Sequence, residues 1–248
     1  MHRDELESHL NQVLEISRFH DYCPNGLQVE GHHDIRTLVS GVTASFDLLQ
    51  AAIAAKADAI LVHHGYFWRG EDMRITGMKN RRITLLITHK INLFAYHLPL
   101  DVHPQFGNNA VLGKKLGLIE TGRFGDQDIA FQGELTQATT LRALGEKISR
   151  TLLRKPIMIG DPDKTIRQIA WCTGAAQNYF ETAIRQGVDA FITGEISEQS
   201  VHAARESGVA FIAAGHHATE RYGVQALGDH IAQKFAIRHQ FIDVDNPV

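Results

Sequence analysis

Two stretches of the chain repeat one order of sequence features. GVTASFDLLQAAIAAKADAILVHHG (41–65) and WCTGAAQNYFETAIRQGVDAFITGEIS (171–197) each run from an apolar segment through a threonine and a helical pattern to an apolar strand. An Asp-Ala pair opens that strand in both copies, and Asp58 aligns with Asp189 at an offset of 131. Thr43 aligns with Thr173 only if one gap is allowed. The repeat predicts two similar α/β lobes that arose by internal duplication.

The first copy alternates strand and helix patterns. The sequence predicts strands at 37–42, 57–64 and 91–97, separated by helices over roughly 45–56 and 79–90. An earlier helix is expected to begin at Asp4, because Leu6, Leu10, Val13 and Leu14 share one face. A βαβαβ alternation of this kind predicts a mostly parallel sheet with crossover helices.

The sequence pattern changes in the segment between the two repeated stretches. From about residue 122 to about 166, Gly and Thr interrupt short apolar runs, and only Leu141 to Leu153 has a helical pattern. We therefore expect a single two-lobed domain over 1–248. Lobe one covers about 1–121, a connector covers about 122–166, and lobe two covers about 167–248.

Composition excludes several classes of protein. The formal net charge of −3 gives no overall attraction to nucleic acid or to an anionic membrane. No apolar run is long enough to span a bilayer, and MHRDELESHL has no apolar signal core. Two cysteines, Cys23 and Cys172, are too few for a disulfide framework, which favours a cytoplasmic location. The one unusual count is 15 histidines.

Histidines follow three of the apolar strands. His63 and His64 follow AILV, His97 follows LFAY, and His216 follows FIAAG. Polar residues at the carboxyl ends of parallel strands face the ligand crevice of an α/β sheet. LFAYHLPLD and FIAAGHHATE both place a carboxylate four residues after the histidine, so each pair shares one face if a helical turn begins there.

These residues predict a metal centre between the two lobes. Imidazole and carboxylate ligands suit two divalent ions such as Zn, Fe, Mn or Ni, and six ligands are too many for one open catalytic ion. The carboxylates could bridge ions roughly 3.5–4 Å apart, with metal-bound water as the nucleophile. The predicted ligands are His63, His64, His97, Asp101, His216 and Glu220.

Other groups near the predicted ligands have two interpretations each. His217 is expected to point away, whereas Glu195 is either a carboxylate that orients a ligand histidine or a solvated loop residue. His202, which follows Glu195 and Glu198, is a second candidate for orienting a ligand.

The aromatic and polar residues nearby also leave alternatives open. Tyr66 and Trp68, with Phe67 between them, could stack a base or pterin-like ring, or could pack between the lobes. KNRR (79–82) could bind phosphate or form a solvated helix face, and the sequence leaves the roles of Asn25 and Gln28 open. No Ser/His/Asp or Cys/His nucleophile arrangement is visible, and no phosphate-binding P-loop.

Seven motifs resemble those of a known family. They are PNGLQVEG (24–31), GVTAS (41–45), VHHGYFW (62–68), HLPLD (97–101), GNNAVL (107–112), FITGE (191–195) and GHHATE (215–220). Together they resemble the Nif-three-like di-metal proteins, in particular the bacterial YbgI-type branch, whose members often carry the label GTP cyclohydrolase I type 2 homologue. The likeness extends over essentially the whole chain.

The resemblance implies a two-lobed α/β fold, a homohexameric ring and two divalent metals that face the ring interior. It assigns the ligands to the paired-histidine, HxxxD and GHxxxE motifs, which are the same six residues that the spacing predicts. Long members of the family insert a further domain between the lobes, and this chain has only a short connector there.

We therefore expect a metal-dependent hydrolase that acts on a nucleotide or a related small molecule, with GTP cyclohydrolase-like activity as one option. The alternative is a non-catalytic ring that stores, delivers or senses metal, or a ring that binds nucleic acid in DNA repair. The net charge of −3 does not favour the last of these.

Overall fold

A computed structural model describes all 248 residues and divides them into two compact units. The first unit contains Met1–Phe106 and Gly223–Asp245, and the second contains Gly107–Tyr222 and Asn246–Val248. None of the helices combines the length and the apolar character needed to cross a lipid bilayer.

The first unit contains five strands, four helices and the later part of a fifth helix. Strands and helices are numbered along the whole chain. Its strands are β1 (Gly26–Val29), β2 (Thr37–Thr43), β3 (Ala59–His64), β4 (Asn92–Ala95) and β11 (Arg238–Phe241). Its helices are α1 (Arg3–Val13), α2 (Phe46–Ala54), α3 (Gly77–Thr88), α4 (Leu98–Val102) and the later part of α9 (His216–Phe235). The sheet has the strand order β1-β4-β3-β2-β11, and only the β1–β4 pair is antiparallel. The predicted parallel sheet is confirmed for this unit.

Strand β3 is buried on both faces, which explains its uninterrupted apolar sequence. Ile60 and Val62 belong to one hydrophobic cluster of the first unit, and Ala59 and Leu61 belong to another. Alternate residues of the strand therefore fill the cores on opposite sides of the sheet. This double burial fixes the position of the strand end, where the paired histidines lie.

The second unit has six strands and the remaining helices. Its strands are β5 (Leu118–Phe124), β6 (Ala130–Thr140), β7 (Ile157–Ile159), β8 (Thr165–Trp171), β9 (Ala190–Thr193) and β10 (Ala210–Ala213). Its helices are α5 (Asn108–Leu116), α6 (Leu141–Leu152), α7 (Phe180–Arg185), α8 (Glu198–Ser207) and the first residues of α9. The strand order is β5-β6-β8-β9-β10-β7.

The prediction of a mostly parallel sheet is wrong for the second unit. Only β8–β9 and β9–β10 are parallel, while the three other strand pairs are antiparallel. The connection between β5 and β6 spans only Gly125 to Ile129, and a link this short can join only antiparallel neighbours.

The predicted connector at about 122–166 is also wrong, because this segment is part of the second unit itself. It supplies β6, β7 and α6, and Leu141, Leu144 and Ile148 are buried in the core. Apart from Gly145 and Thr151, which lie in α6, the Gly and Thr residues of this segment lie in strands and in the links between them. The unit boundaries differ from the predicted lobes as well, since the chain returns to the first unit at Gly223, within α9.

The repeated Asp-Ala pairs have the same contacts in the two units. One carboxylate oxygen of Asp58 accepts hydrogen bonds from two successive backbone N–H groups at the start of β2, and one of Asp189 does so in the middle of β8. The four donors are Arg36 N at 2.8 Å, Thr37 N at 2.9 Å, Arg167 N at 2.8 Å and Gln168 N at 2.8 Å. Each aspartate therefore ties the start of the strand that follows it to the parallel neighbour of that strand.

We predict that Asp58→Ala and Asp189→Ala each lower the free energy of unfolding by roughly 2–4 kcal/mol, because two backbone donors lose a charged acceptor. The Asn variants should lose less than half as much, since the amide oxygen still accepts. Urea unfolding measures this, with Asp245→Ala at an exposed position as the control. An unfolding midpoint of either Ala variant equal to that of the parent contradicts the account.

Candidate metal centre

Three histidines of the first unit come together at the ends of adjacent parallel strands. His63 and His64 end β3, and His97 follows β4. Each contributes one ring nitrogen to a group whose atoms lie within 4.8 Å of one another. The ring centroid of His63 lies 4.5 Å from that of His64 and 5.0 Å from that of His97. The predicted convergence of these three residues is therefore observed.

Asp101 joins this group through the turn that His97 begins. Helix α4 starts directly after His97, and the Asp101 N–H donates to the His97 carbonyl over 3.2 Å. This turn brings the buried Asp101 carboxylate to 3.5 Å from Nε2 of His63. We call His63, His64, His97 and Asp101 the first half-site.

The second unit presents a smaller group at the start of α9. His216 is the first residue of that helix, and the spacing of four places Glu220 one turn later on the same face. His216 Nε2 lies 3.1 Å from a Glu220 carboxylate oxygen. Two ligands of one divalent ion stand roughly 3.0–3.4 Å apart when each bond is about 2.1 Å long. We call His216 and Glu220 the second half-site.

A protein oxygen lies within hydrogen-bond distance of Nδ1 in all four histidines. The contacts are His63 with the Tyr96 carbonyl at 3.0 Å, His64 with Thr43 Oγ1 at 3.1 Å, His97 with Asp21 at 2.7 Å and His216 with Glu195 at 2.7 Å. A carbonyl or carboxylate can only accept, so Nδ1 carries the proton in three of the four rings. Nε2 is then the nitrogen that is available to a metal, as in carboxylate–histidine–metal triads.

Glu195 thus lies beside His216, in agreement with the first of its two interpretations, a carboxylate that orients a histidine. His202 instead pairs with Glu198 at 3.0 Å on the exposed face of α8. KNRR lies at the start of α3, and of its four residues two are exposed and two half-buried.

Asp21 and Asn25 orient His97, and sequence reasoning did not assign them this role. Asp21 also accepts from the Leu98 N–H at 2.9 Å, and Asn25 Oδ1 accepts from the His97 N–H at 2.7 Å. Burial opposes ionisation of Asp21, but hydrogen bonds and charge attraction from His97 outweigh it and lower the pKa of the carboxyl. The turn residues of DYCPNG were the available signal, although nothing in the sequence connects them to His97.

His216 has an unusual proton affinity. Burial alone lowers its pKa, but hydrogen bonds and charge attraction from Glu220, and then from Glu195, raise the pKa to about 9. The two carboxylates therefore create a site for positive charge at this imidazole. A divalent cation supplies that charge as well as a proton does.

Two glycines allow this close packing in the second unit. A Cβ on Gly174, whose φ is +70°, would lie 2.1 Å from Glu220 Oε1. A Cβ on Gly194 would lie 2.6 Å from the Cα of His216. Glu220 and His216 thus occupy space that any side chain at positions 174 and 194 would fill.

The donor set suits a metal that prefers nitrogen and oxygen. Cys23 lies close to Asp21 and His97, but burial, and then the Asp21 charge, raise the pKa of its thiol to about 12. The thiol stays protonated at neutral pH and is a poor ligand in that form. Imidazole nitrogens and carboxylate oxygens therefore remain as the donors, which matches Zn, Fe, Mn or Ni.

The two aromatic residues predicted to contact a substrate lie in different environments. Tyr66 is only 5% exposed, and its hydroxyl donates to the Ala44 carbonyl over 2.8 Å. Tyr66 therefore belongs to the core of the first unit. Trp68 is half-buried, and its ring centroid lies 5.0 Å from that of His97. Of the two, only Trp68 borders the histidines.

A Ser-His-Asp arrangement is present, contrary to the expectation from sequence. Ser40 Oγ lies 2.7 Å from His239 Nε2, and His239 Nδ1 lies 2.8 Å from an Asp229 carboxylate oxygen. The sequence hid it because these residues lie on β2, β11 and α9. Ser40 is 0% exposed, so no substrate reaches its hydroxyl. The arrangement links β11 and α9 to β2 and offers no nucleophile.

Comparison with known proteins places the chain in a family. The family model Duf34/NIF3 (NGG1p interacting factor 3) matches residues 1–247. The chain is 52% identical over 247 residues to a Pseudomonas aeruginosa protein named GTP cyclohydrolase 1 type 2 homolog, covering 98% of this chain and 97% of that protein. A Yersinia pestis protein of the same name is 52% identical over 248 residues and covers 100% of both.

A solved structure agrees with these sequence matches. The structure described as "protein ybgI, unknown function" has a TM-score of 0.97 and 47% sequence identity, and covers 100% of both chains. The chain belongs to the DUF34/NIF3 family.

Proposed function

We propose that this protein is a metal-dependent hydrolase with a binuclear centre to which both half-sites contribute. The observation that carries the proposal is the set of Nδ1 contacts, because an Nδ1 that is held by a protein oxygen leaves Nε2 as the nitrogen through which each ring would bind a metal. Six ligands, four imidazoles and two carboxylates, exceed what one open catalytic ion needs, and they suit two ions.

In this proposal the residues of the chain have distinct tasks. His63, His64, His97 and His216 would bind the ions through Nε2, while Asp101 and Glu220 would bind them through carboxylate oxygens and neutralise part of their charge. Asp21 and Glu195 hold the protonated Nδ1 of their histidines and keep each ring in place. Divalent ions held in this way would activate water as a nucleophile and polarise the bond to be cleaved.

We also propose that the two units arose by internal duplication. The pairs Leu38↔Ala59 in the first unit and Ile169↔Ala190 in the second have the same register at an offset of 131. The strand-capping contacts of Asp58 and Asp189 follow the same offset.

The names of the relatives favour a small nucleotide as substrate. They describe homologs of GTP cyclohydrolase 1 type 2. We therefore propose a nucleotide or a related small molecule, bound by a homohexameric ring in the cytoplasm. The mass of the ring in solution would be six times the chain mass of 27.6 kDa.

The second candidate is a non-catalytic ring that stores, delivers or senses metal, or that binds nucleic acid. The carboxylates of Glu195 and Glu220 lie 2.7 Å and 3.1 Å from the two ring nitrogens of His216, and this negative charge favours cation binding whether or not a reaction follows. Activity and the salt dependence of binding separate these candidates from the hydrolase.

We predict close to two ions per chain in protein purified without chelators or a metal-binding tag, and at most one in Glu220→Ala. The loss follows because Glu220 is a carboxylate ligand beside His216. Elemental analysis measures the content, and Glu206→Ala, at an exposed position of α8, is the control. If the parent holds well under one ion and cannot be reloaded, the proposal is wrong.

Gly174→Ala should also lose metal, because its methyl group displaces the Glu220 carboxylate. Gly187→Ala is a matched control. The φ of Gly187 is +73°, close to the +70° of Gly174, yet nothing lies within 4 Å of an added Cβ. Both variants should lose about 1 kcal/mol of stability to backbone strain, but only Gly174→Ala should lose metal. Equal metal content in the two variants would show that Glu220 is not a ligand.

We predict that His64→Ala abolishes hydrolysis of nucleotides and phosphoesters while the fold survives, because the half-buried His64 side chain lies at a strand end. A turnover assay at saturating metal, with the melting temperature as a check of folding, measures this. If the protein is instead a ring that binds nucleic acid, His64→Ala should bind nucleic acid as tightly as the parent does. That affinity should fall steeply as the salt concentration rises. Hydrolysis by His64→Ala at the rate of the parent would contradict the two-metal mechanism.

A further inference from the structure

We propose that Tyr22, Trp68 and Arg69 form a binding wall for a planar nitrogen heterocycle that carries a phosphate group. The inference rests on the proposed function, because it names the substrate class of the same site. A nucleoside phosphate is the simplest ligand with both features.

Trp68 is the part of the wall next to the half-site histidines. Its ring centroid lies 5.0 Å from that of His97, nearly perpendicular at 85°, and 5.9 Å from that of His64. The indole is only half-buried. Part of a flat apolar surface is therefore exposed beside the atoms that would hold metal, where the ring of a ligand can stack.

The backbone before Trp68 is held in an uncommon conformation. Phe67 has a φ of +66°, in the left-handed region that bulky residues rarely adopt. Gln28 bonds both sides of the preceding residue, since Tyr66 N donates to Gln28 Oε1 at 2.7 Å and Gln28 Nε2 donates to the Tyr66 carbonyl at 3.2 Å. Strain of this kind persists where the surroundings enforce it, often at binding sites.

Tyr22 is the second aromatic residue of the wall and also borders His97. Its ring centroid lies 6.4 Å from that of His97, and the residue is 58% exposed. Its backbone is fixed nonetheless, because the Tyr22 N–H donates to Asp21 at 2.6 Å and its carbonyl accepts from the Arg69 N–H at 2.7 Å. A large aromatic ring is thus held in solvent on a rigid support, which lowers the entropy cost of binding a ligand.

Arg69 supplies positive charge at the edge of the wall. Its guanidinium carbon lies 5.9 Å from the Tyr22 ring centroid, and Nη2 donates to the Asp21 carbonyl over 3.0 Å. The carboxylates that follow it in sequence have their own cations, because Glu71 pairs with Lys79 at 2.9 Å and Asp72 pairs with Arg74 at 2.7 Å. The Arg69 charge is therefore available to an anion, and a guanidinium suits phosphate.

These features together favour a ligand that has both a flat ring and a phosphate over ligands that have only one of the two. The two aromatic rings favour a flat ring system, whereas Arg69 favours a negative charge attached to it. The ions proposed for the neighbouring half-site bind phosphate whether or not a ring is present. A ligand that has the ring and the phosphate should therefore bind more tightly than a nucleoside or a sugar phosphate alone.

The test is calorimetric titration of the metal-loaded protein with guanosine 5′-monophosphate, guanosine and ribose 5-phosphate. Tyr22→Ala and Trp68→Ala should weaken binding of the monophosphate about tenfold each, with metal content unchanged, because base–aromatic stacking is lost. Binding of ribose 5-phosphate should not change in these two variants. Trp68→Phe should retain most of the affinity, since it keeps an aromatic face.

Arg69→Ala should reduce the advantage of the monophosphate over guanosine, leaving only the part that the ions supply, while Tyr22→Ala and Trp68→Ala leave that ratio intact. The control is Arg185→Ala, an exposed arginine of the second unit that hydrogen-bonds to Thr182. Lost affinity for all three ligands in a variant that has also lost metal would contradict the wall, because the side chain would then act through the ions.

Fluorescence gives an independent readout. The chain has two tryptophans, and Trp171 is only 1% exposed. A stacked base should quench emission from Trp68, so the signal should disappear in Trp68→Phe while calorimetric binding persists. Quenching that survives in Trp68→Phe places the ligand elsewhere and overturns the proposal.

The wall and the hydrolase can fail separately. Ring-dependent binding without turnover of any nucleotide would keep the wall and remove the hydrolase. Turnover of phosphoesters at rates that Tyr22→Ala and Trp68→Ala do not change, together with equal affinity for ribose 5-phosphate and the monophosphate, would keep the hydrolase and remove the wall.

Discussion

The hydrogen bonds to Nδ1 of the histidines are the interactions on which the candidate site depends. An imidazole has two nitrogens and rotates freely about its side-chain bonds, so a strand end alone does not decide which nitrogen faces a metal. Tyr96, Asp21 and Glu195 decide it for His63, His97 and His216 because each supplies an oxygen that can only accept. The protein thus fixes the direction of each of these rings before any ion binds.

The two units reach this result with different residues at matching positions. The offset of 131 that aligns Asp58 with Asp189 also aligns His64 with Glu195, each at or just after the end of its strand. In the first unit that position holds a histidine of the first half-site. In the second it holds the carboxylate that orients His216, which lies further along the chain. Glycine at 194, in place of His63, leaves the room that the His216 backbone occupies.

The proposed wall uses the same segments that position the histidines. Asp21 orients His97 with its carboxylate, while its carbonyl accepts from Arg69. The Tyr22 backbone contacts both residues, because its N–H donates to the Asp21 carboxylate and its carbonyl accepts from the Arg69 N–H. Ligand ring and metal ligands would therefore be held by one network of hydrogen bonds, and such preorganisation reduces the entropy lost on binding.

The sequence by itself determined the features that depend on neighbouring residues. Strand and helix periodicities act over a few residues, so such features can be predicted from sequence. They include the apolar run of β3 with its paired histidines, and the spacing of four in HLPLD and GHHATE. Only the tertiary structure decided which distant residues meet. It placed Asp21 on His97, buried Tyr66, assembled Ser40 with His239, and put the segment that the sequence predicts as a connector into the second sheet. These contacts join residues 22 to 199 positions apart or depend on strand order. Strand order is set by the burial of whole sheets, which no local sequence pattern specifies.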